Sequence, residues 1–128
     1  MLTVYVYETC STCRAALAWL RQHHINHRTV PIKDHPPSRA ELERMAAAYG
    51  GELRRIFNTS GLEYRRLSLA SRLDAMPPAE AYALLGGNGM LVKRPFVLGP
   101  GVALAGFDAK VWTRNLPAMG AGSFSPAP

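Results

Sequence analysis

The residues of this chain that can carry chemistry lie close together near its start. Its only two cysteines, Cys10 and Cys13, bracket the run Cys10-Ser11-Thr12-Cys13. Two thiols at this spacing, beside a strand–helix–strand pattern, read as a thiol–disulfide redox motif. The pattern puts Cys10 just ahead of a helix, where unpaired backbone N–H groups and the helix dipole stabilise a thiolate. Such sites bring a thiol pKa from about 8.5 toward about 7 or below. Cys13, one turn further on, is placed to attack a mixed disulfide formed on Cys10 and release the bound thiol. Cys10 is therefore read as the nucleophile and Cys13 as the resolving thiol. Ser11 and Thr12 are read as helix-capping residues that contact the thiolate or its substrate.

Other readings of these residues are blander. A zinc site requires four ligands, and the chain has no second CxxC. Of its histidines (His23, His24, His27 and His35), the first three fall at a helix end, where an imidazolium suits the dipole without any metal. No metal is expected. Two inert, buried thiols are the other bland account. Trp19 and Trp112 read as packing groups and Glu8 as an exposed carboxylate. Pro95 lies inside a strand pattern and removes a ladder donor, so the residues alone favour an edge strand or the start of a strand there.

The elements that must position these groups follow from periodicity. Leu2–Tyr7 alternates β-branched and aromatic residues as a strand does. Ala16, Leu17 and Leu20 recur at helical spacing after Cys13, and the helix runs to about His23. His27–Ile32 reads as a second strand, parallel to the first, which completes a βαβ unit. A helical block follows. Ser38-Arg39-Ala40-Glu41 is a capping box, Leu42, Met45, Ala46 and Tyr49 mark one helical face, and Gly50-Gly51 ends it. Leu67–Leu73 reads as a short helix, and Pro77-Pro78 opens another that runs through Leu85. Met90–Leu98 and Val102–Ala105, joined by Gly99-Pro100-Gly101, form a hairpin, and Asp108 caps a last helix that carries Val111, Trp112 and Leu116. The predicted plan is βαβ, a helical insertion over about residues 36–89, then ββα. It forms a single domain over 1–116, with a flexible tail over 117–128.

Composition narrows the function classes. The chain has 128 residues, 48% of them hydrophobic, and a formal charge of +6 at pH 7. That length supports a core without disulfide staples, and the aliphatic content excludes global disorder. No run approaches the ~20 apolar residues of a membrane span, and Met1–Tyr7 reads as a strand, not a signal peptide. A cytoplasmic protein is expected. The basic clusters Arg54-Arg55 and Arg65-Arg66 are small and carry no interleaved aromatic residues, which disfavours direct nucleic-acid binding. No flavin, nicotinamide or phosphate-loop motif is present, so no bound cofactor is expected.

Taken in order, Tyr7–Leu20 (YETCSTCRAALAWL), Phe57–Leu67 (FNTSGLEYRRL), Gly89–Pro95 (GMLVKRP) and Leu104–Phe107 (LAGF) resemble the thioredoxin fold as elaborated in the ArsC/Spx family. The resemblance covers about Leu2–Leu116. It implies an α/β, thioredoxin-like (glutaredoxin-type) mixed four-stranded sheet with a helical insertion between its βαβ and ββα halves. It also implies a cis Arg94–Pro95 bond with Pro95 facing Cys10 and shaping the substrate groove, and an anion-binding Arg94 directed at the site. The family's glutaredoxin-linked arsenate reductases use two further arginines, where this chain has Ser60 and Phe107. Loss of two of three charge-assisted clamps disfavours arsenate. The Spx/MgsR branch couples a CxxC switch to the RNA polymerase α subunit.

Two readings of different class result. One is a monomeric thiol–disulfide oxidoreductase acting on protein or small-molecule thiols, with glutathione or glutaredoxin as reductant and Cys10, Cys13 and Arg94 as catalytic residues. The other is a redox-sensing transcription regulator that binds RNA polymerase. Arsenate reduction stands third.

Overall fold

The alternation that begins at Leu2 builds strand β1 (Leu2–Val6), whose Leu2 and Val4 face one side of the sheet while Thr3 and Tyr5 face the other. The chain turns after Tyr7 and enters helix α1 (Ser11–Gln22), whose buried residues are Cys13, Ala16, Trp19 and Leu20. Strand β2 (His27–Pro31) follows. The second half supplies β3 (Phe96–Gly99) and β4 (Val102–Ala105). The four strands form a mixed sheet in the order β2-β1-β3-β4. β1 pairs antiparallel with β3 (Val4↔Val97, Tyr5↔Phe96), and β3 pairs with β4 across a tight hairpin whose Gly101 takes φ +70°. The structure, a computed structural model, describes residues 1–124, with side chains as far as Leu116.

One face of this sheet makes the core. Leu2, Val4, Val97, Val102 and Leu104 pack with Ala16, Trp19 and Leu20 of α1 and with Trp112 and Leu116 of helix α6 (Ala109–Phe124). Asp108 caps α6 as expected, its Oδ1 accepting from the N–H groups of Lys110 (2.9 Å) and Val111 (3.3 Å). The helix backbone runs on through Pro117, where the sequence reading starts a tail, as far as Phe124. Ala118, Met119 and Ala121 are good helix formers, and a lone proline interrupts a helix without always ending it. The rest of the expected tail, 125–128, lies outside the described residues.

Two compact units divide the chain. One comprises Met1–Val30 with the segment from Arg94 onward, and the other is Pro31–Lys93. The insertion is thus a unit of its own and is wider than the 36–89 read from the sequence. Its ends are held by backbone. The Ile32 carbonyl lies so close to Gly89 that a Cβ on residue 89 would stand 1.9 Å from it, and only glycine fits. Phe57 bridges Val92, with Asn58 N–H donating to Leu91 and Lys93 N–H to Ile56. Within the insertion, the Ser38–Glu41 capping box forms in both directions and starts helix α2 (Arg39–Ala48). The short helix expected over Leu67–Leu73 shortens to α4 (Leu69–Arg72), and Ser68, at φ +55°, separates it from a further helix, α3 (Leu62–Arg66), that the sequence reading did not place. Helix α5 (Pro78–Gly87) packs on α2, with Arg39 over the Tyr82 ring at 4.6 Å.

The long strand pattern over Met90–Leu98 shortens to Phe96–Gly99, because Gly89–Leu91 coils into a 3-10 turn. Pro95 therefore sits just before a central strand, not on an edge. Its missing N–H lies outside the ladder, and its carbonyl accepts from Gly106 N–H at 2.8 Å. The Arg94–Pro95 bond is cis, as the resemblance implies. Among the described residues, no helix is long and apolar enough to cross a membrane.

Candidate functional site

Cys10 is itself the N-cap of α1. Its backbone is extended (φ −87°, ψ 113°), its N–H donates to the Tyr7 carbonyl at 3.1 Å, and its Sγ accepts from the Cys13 N–H at 3.2 Å. A sulfur thus takes the place a serine or aspartate oxygen usually holds, at the positive end of a 12-residue helix. The capping role expected of Ser11 and Thr12 goes to Cys10 because the helix begins at residue 11. Ser11 and Thr12 form its first turn, with exposed side chains.

The two thiols sit in opposite environments. Cys10 is half-buried and Cys13 is 1% exposed. Burial alone pushes the Cys10 thiol up, but the hydrogen bonds from the Cys13 side chain and N–H, followed by the charge and hydrogen bond of Arg94, outweigh it, so its pKa is lowered. Cys13 is pushed up to about 12, first by burial, then by its hydrogen bond to Cys10 and the neighbouring negative charge. One thiol is set to ionise, and the other to stay protonated and donate to it. Both cysteines are free thiols.

Arg94 is the cation of the site. Its guanidinium lies over the Tyr7 ring, with Cζ 5.3 Å from the centroid, and its charge helps lower the Cys10 thiol pKa. Cys10 and Cys13 are thus brought together, with Arg94 near enough for its charge to act on both, and Pro95 follows Arg94 directly. Sequence reasoning gave Tyr7 no role of its own. Its only signal was an aromatic residue at a strand end, and nothing local points to an arginine so far along the chain. Glu8 is exposed, as expected, and its carbonyl accepts from Arg14 at 3.2 Å.

The remaining candidates have other partners. Phe107 stands edge-on to Trp112 at 4.8 Å and to Trp19 at 6.5 Å, partly buried against the core. Ser60 Oγ donates to Asn58 Oδ1 at 3.4 Å. Arg54 bonds Asp74 (2.9 Å) and the Tyr64 hydroxyl (2.7 Å), Arg66 pairs with Glu63, and Arg55 lies over Tyr49 at 4.7 Å. His23 stacks on Trp19 at 3.8 Å, with Nδ1 2.8 Å from the Trp19 carbonyl. Among the described residues, no three His, Cys, Asp or Glu side chains gather as a metal site.

A mixed four-stranded sheet, a cysteine capping its first helix and a cis-proline ahead of a central strand define a thioredoxin-like protein. The model of the ArsC family matches residues 5–115, and the chain belongs to that family. The uncharacterized protein YusI of Bacillus subtilis is 38% identical over 114 residues, spanning 89% of this chain and 97% of its own length. An arsenate reductase of Rhizobium meliloti is 36% identical over 101 residues (77% and 69%). The global transcriptional regulator Spx of Listeria innocua is 26% identical over 117 residues (91% and 88%). The crystal structure of a putative ArsC family related protein from Bacteroides fragilis superposes with a TM-score of 0.82 at 37% identity, covering 88% of this chain and 97% of that one. Arsenate reductases and Spx regulators are thus both among its relatives.

Proposed function

We propose that the protein is a thiol–disulfide oxidoreductase in which Cys10 attacks and Cys13 resolves. The observation that carries this is the Cys10 sulfur at the start of α1, accepting the Cys13 N–H at 3.2 Å. The Cys10 thiolate attacks one sulfur of a substrate disulfide. A Cys10–substrate disulfide forms, and the other substrate sulfur leaves as a thiolate. The charge on Cys10 is then gone, and with it the hydrogen bond and repulsion that help hold Cys13 protonated. Cys13 loses its proton and attacks the Cys10 sulfur. This expels the second substrate thiol and leaves a Cys10–Cys13 disulfide. The substrate has gained two electrons, and a thiol reductant such as glutathione or glutaredoxin returns the pair to the reduced state. Ser11, Thr12 and Pro95 line the approach of the substrate, and no bound cofactor takes part. A reducing compartment such as the cytoplasm suits a pair that must return to its dithiol form after each cycle.

The direct test is alkylation by iodoacetamide against pH, with the modified cysteine identified by peptide mass. The thiolate is the reacting form, so a lowered pKa moves the rise in rate to lower pH. We expect the Cys10 midpoint below the ~8.5 of a free thiol, and Cys13 unreactive until strongly alkaline pH. A Cys10 midpoint at or above that of a free thiol would overturn the reading.

Arsenate is disfavoured as substrate. A neutral Ser60 and an apolar Phe107 stand where the resemblance calls for arginines, and each missing charge-assisted bond costs about 1.5–3 kcal/mol. A second reading rests on the similarity to Spx: a redox-sensitive regulator that contacts the α subunit of RNA polymerase. It requires the reduced or the oxidised protein to retain the polymerase α subunit in a pull-down. Retention in neither state removes it.

A further inference from the structure

Tyr7 is the residue at which the parts of the thiol site meet. It directly follows β1, so the sheet anchors its backbone. Its carbonyl accepts the Cys10 N–H at 3.1 Å. Its ring, partly buried, lies 5.3 Å from the Arg94 Cζ. An arginine loses much side-chain freedom when held in one place, and an aromatic face offsets that loss while leaving the guanidinium edge free to donate.

We propose that Tyr7 is a positioning residue whose ring is the platform that holds the Arg94 guanidinium where its charge acts on the Cys10 sulfur. The inference rests on the oxidoreductase reading of Cys10 and adds a residue to it. The flat π face does the work and the phenol hydroxyl is dispensable, which separates this role from a hydrogen-bonding or proton-transfer role for the tyrosine.

The test compares the pH midpoint of Cys10 alkylation in the wild type, Tyr7→Leu, Tyr7→Met, Tyr7→Phe, Arg94→Ala and the Tyr7→Leu/Arg94→Ala double variant, each checked for folding by circular dichroism. The Leu and Met variants are made in parallel so that one suffices if the other does not fold. Either is expected to cut the Cys10 thiolate at pH 7 about threefold, with Tyr7→Phe matching the wild type. In the Arg94→Ala background, Tyr7→Leu is expected to add nothing, because the ring acts only through the guanidinium. The proposal is overturned if the Leu and Met variants titrate as the wild type does, if Tyr7→Phe loses as much as they do, or if the Tyr7→Leu effect persists undiminished without Arg94. A wild-type Cys10 that titrates as a free thiol would remove the oxidoreductase reading first. Variants that leave a lowered midpoint in place remove the Tyr7 inference alone.

Discussion

Cys10→Ser is expected to abolish disulfide exchange, while Cys13→Ser completes the first half of the reaction and stops there as a stable mixed disulfide. The two variants separate chemistry from folding. Serine is among the best N-cap residues, so at position 10 it keeps the cap of α1 and removes only the thiol. Its hydroxyl does not ionise in the accessible pH range and forms no disulfide. Cys13→Ser retains the backbone N–H that donates to Cys10 Sγ and a hydroxyl to stand in for the thiol donor, so Cys10 still attacks. What is lost is the second nucleophile, and the adduct persists. The measurement is intact-protein mass after incubation with oxidised glutathione. We expect an added glutathione mass on Cys13→Ser, none on Cys10→Ser, and an internal disulfide in the wild type. Equal losses in both variants with no adduct trapped would refute the division of roles.

Trp112→Ala is expected to be the most damaging change in the first unit that touches neither thiol. The side chain is 1% exposed, stands edge-to-face with Trp19 at 5.6 Å and Phe107 at 4.8 Å, and its Nε1 donates to the Gly106 carbonyl at 3.2 Å. Truncation opens a cavity between α6 and the sheet and leaves that carbonyl without its indole donor. Buried aromatic-to-alanine changes cost about 3–5 kcal/mol, a fifth or more of the ~5–15 kcal/mol that holds an ordinary domain together. Trp112→Phe keeps most of the ring contacts and is expected to lose about half as much. Urea unfolding followed by circular dichroism measures both. A midpoint unmoved by Trp112→Ala would show that the aromatic cluster does not support the core.

Phe107 illustrates how the chain commits. The position the resemblance assigns to an arginine holds a ring that joins Trp19 and Trp112 in the apolar cluster. Its character was legible in the residue type, but its partners required α1 and α6 to meet over one sheet face. The capping box at Ser38–Glu41, the Asp108 cap and the hairpin around Pro100-Gly101 were all readable because each is closed by residues a few positions apart. The break at Ser68 was not readable. A left-handed serine carries no local signature, and the surrounding packing selects it.

Local spacing determined the two thiols, the helix start beside them and the order of the elements, since these depend on periodicity and on bonds within one turn. Tertiary structure alone decided that Cys13 is sealed while Cys10 is half-open, and that the Arg94 guanidinium lies over the Tyr7 ring beside them. Thiol acidity depends on burial and on charges a few ångströms away, and chain neighbours do not specify those distances.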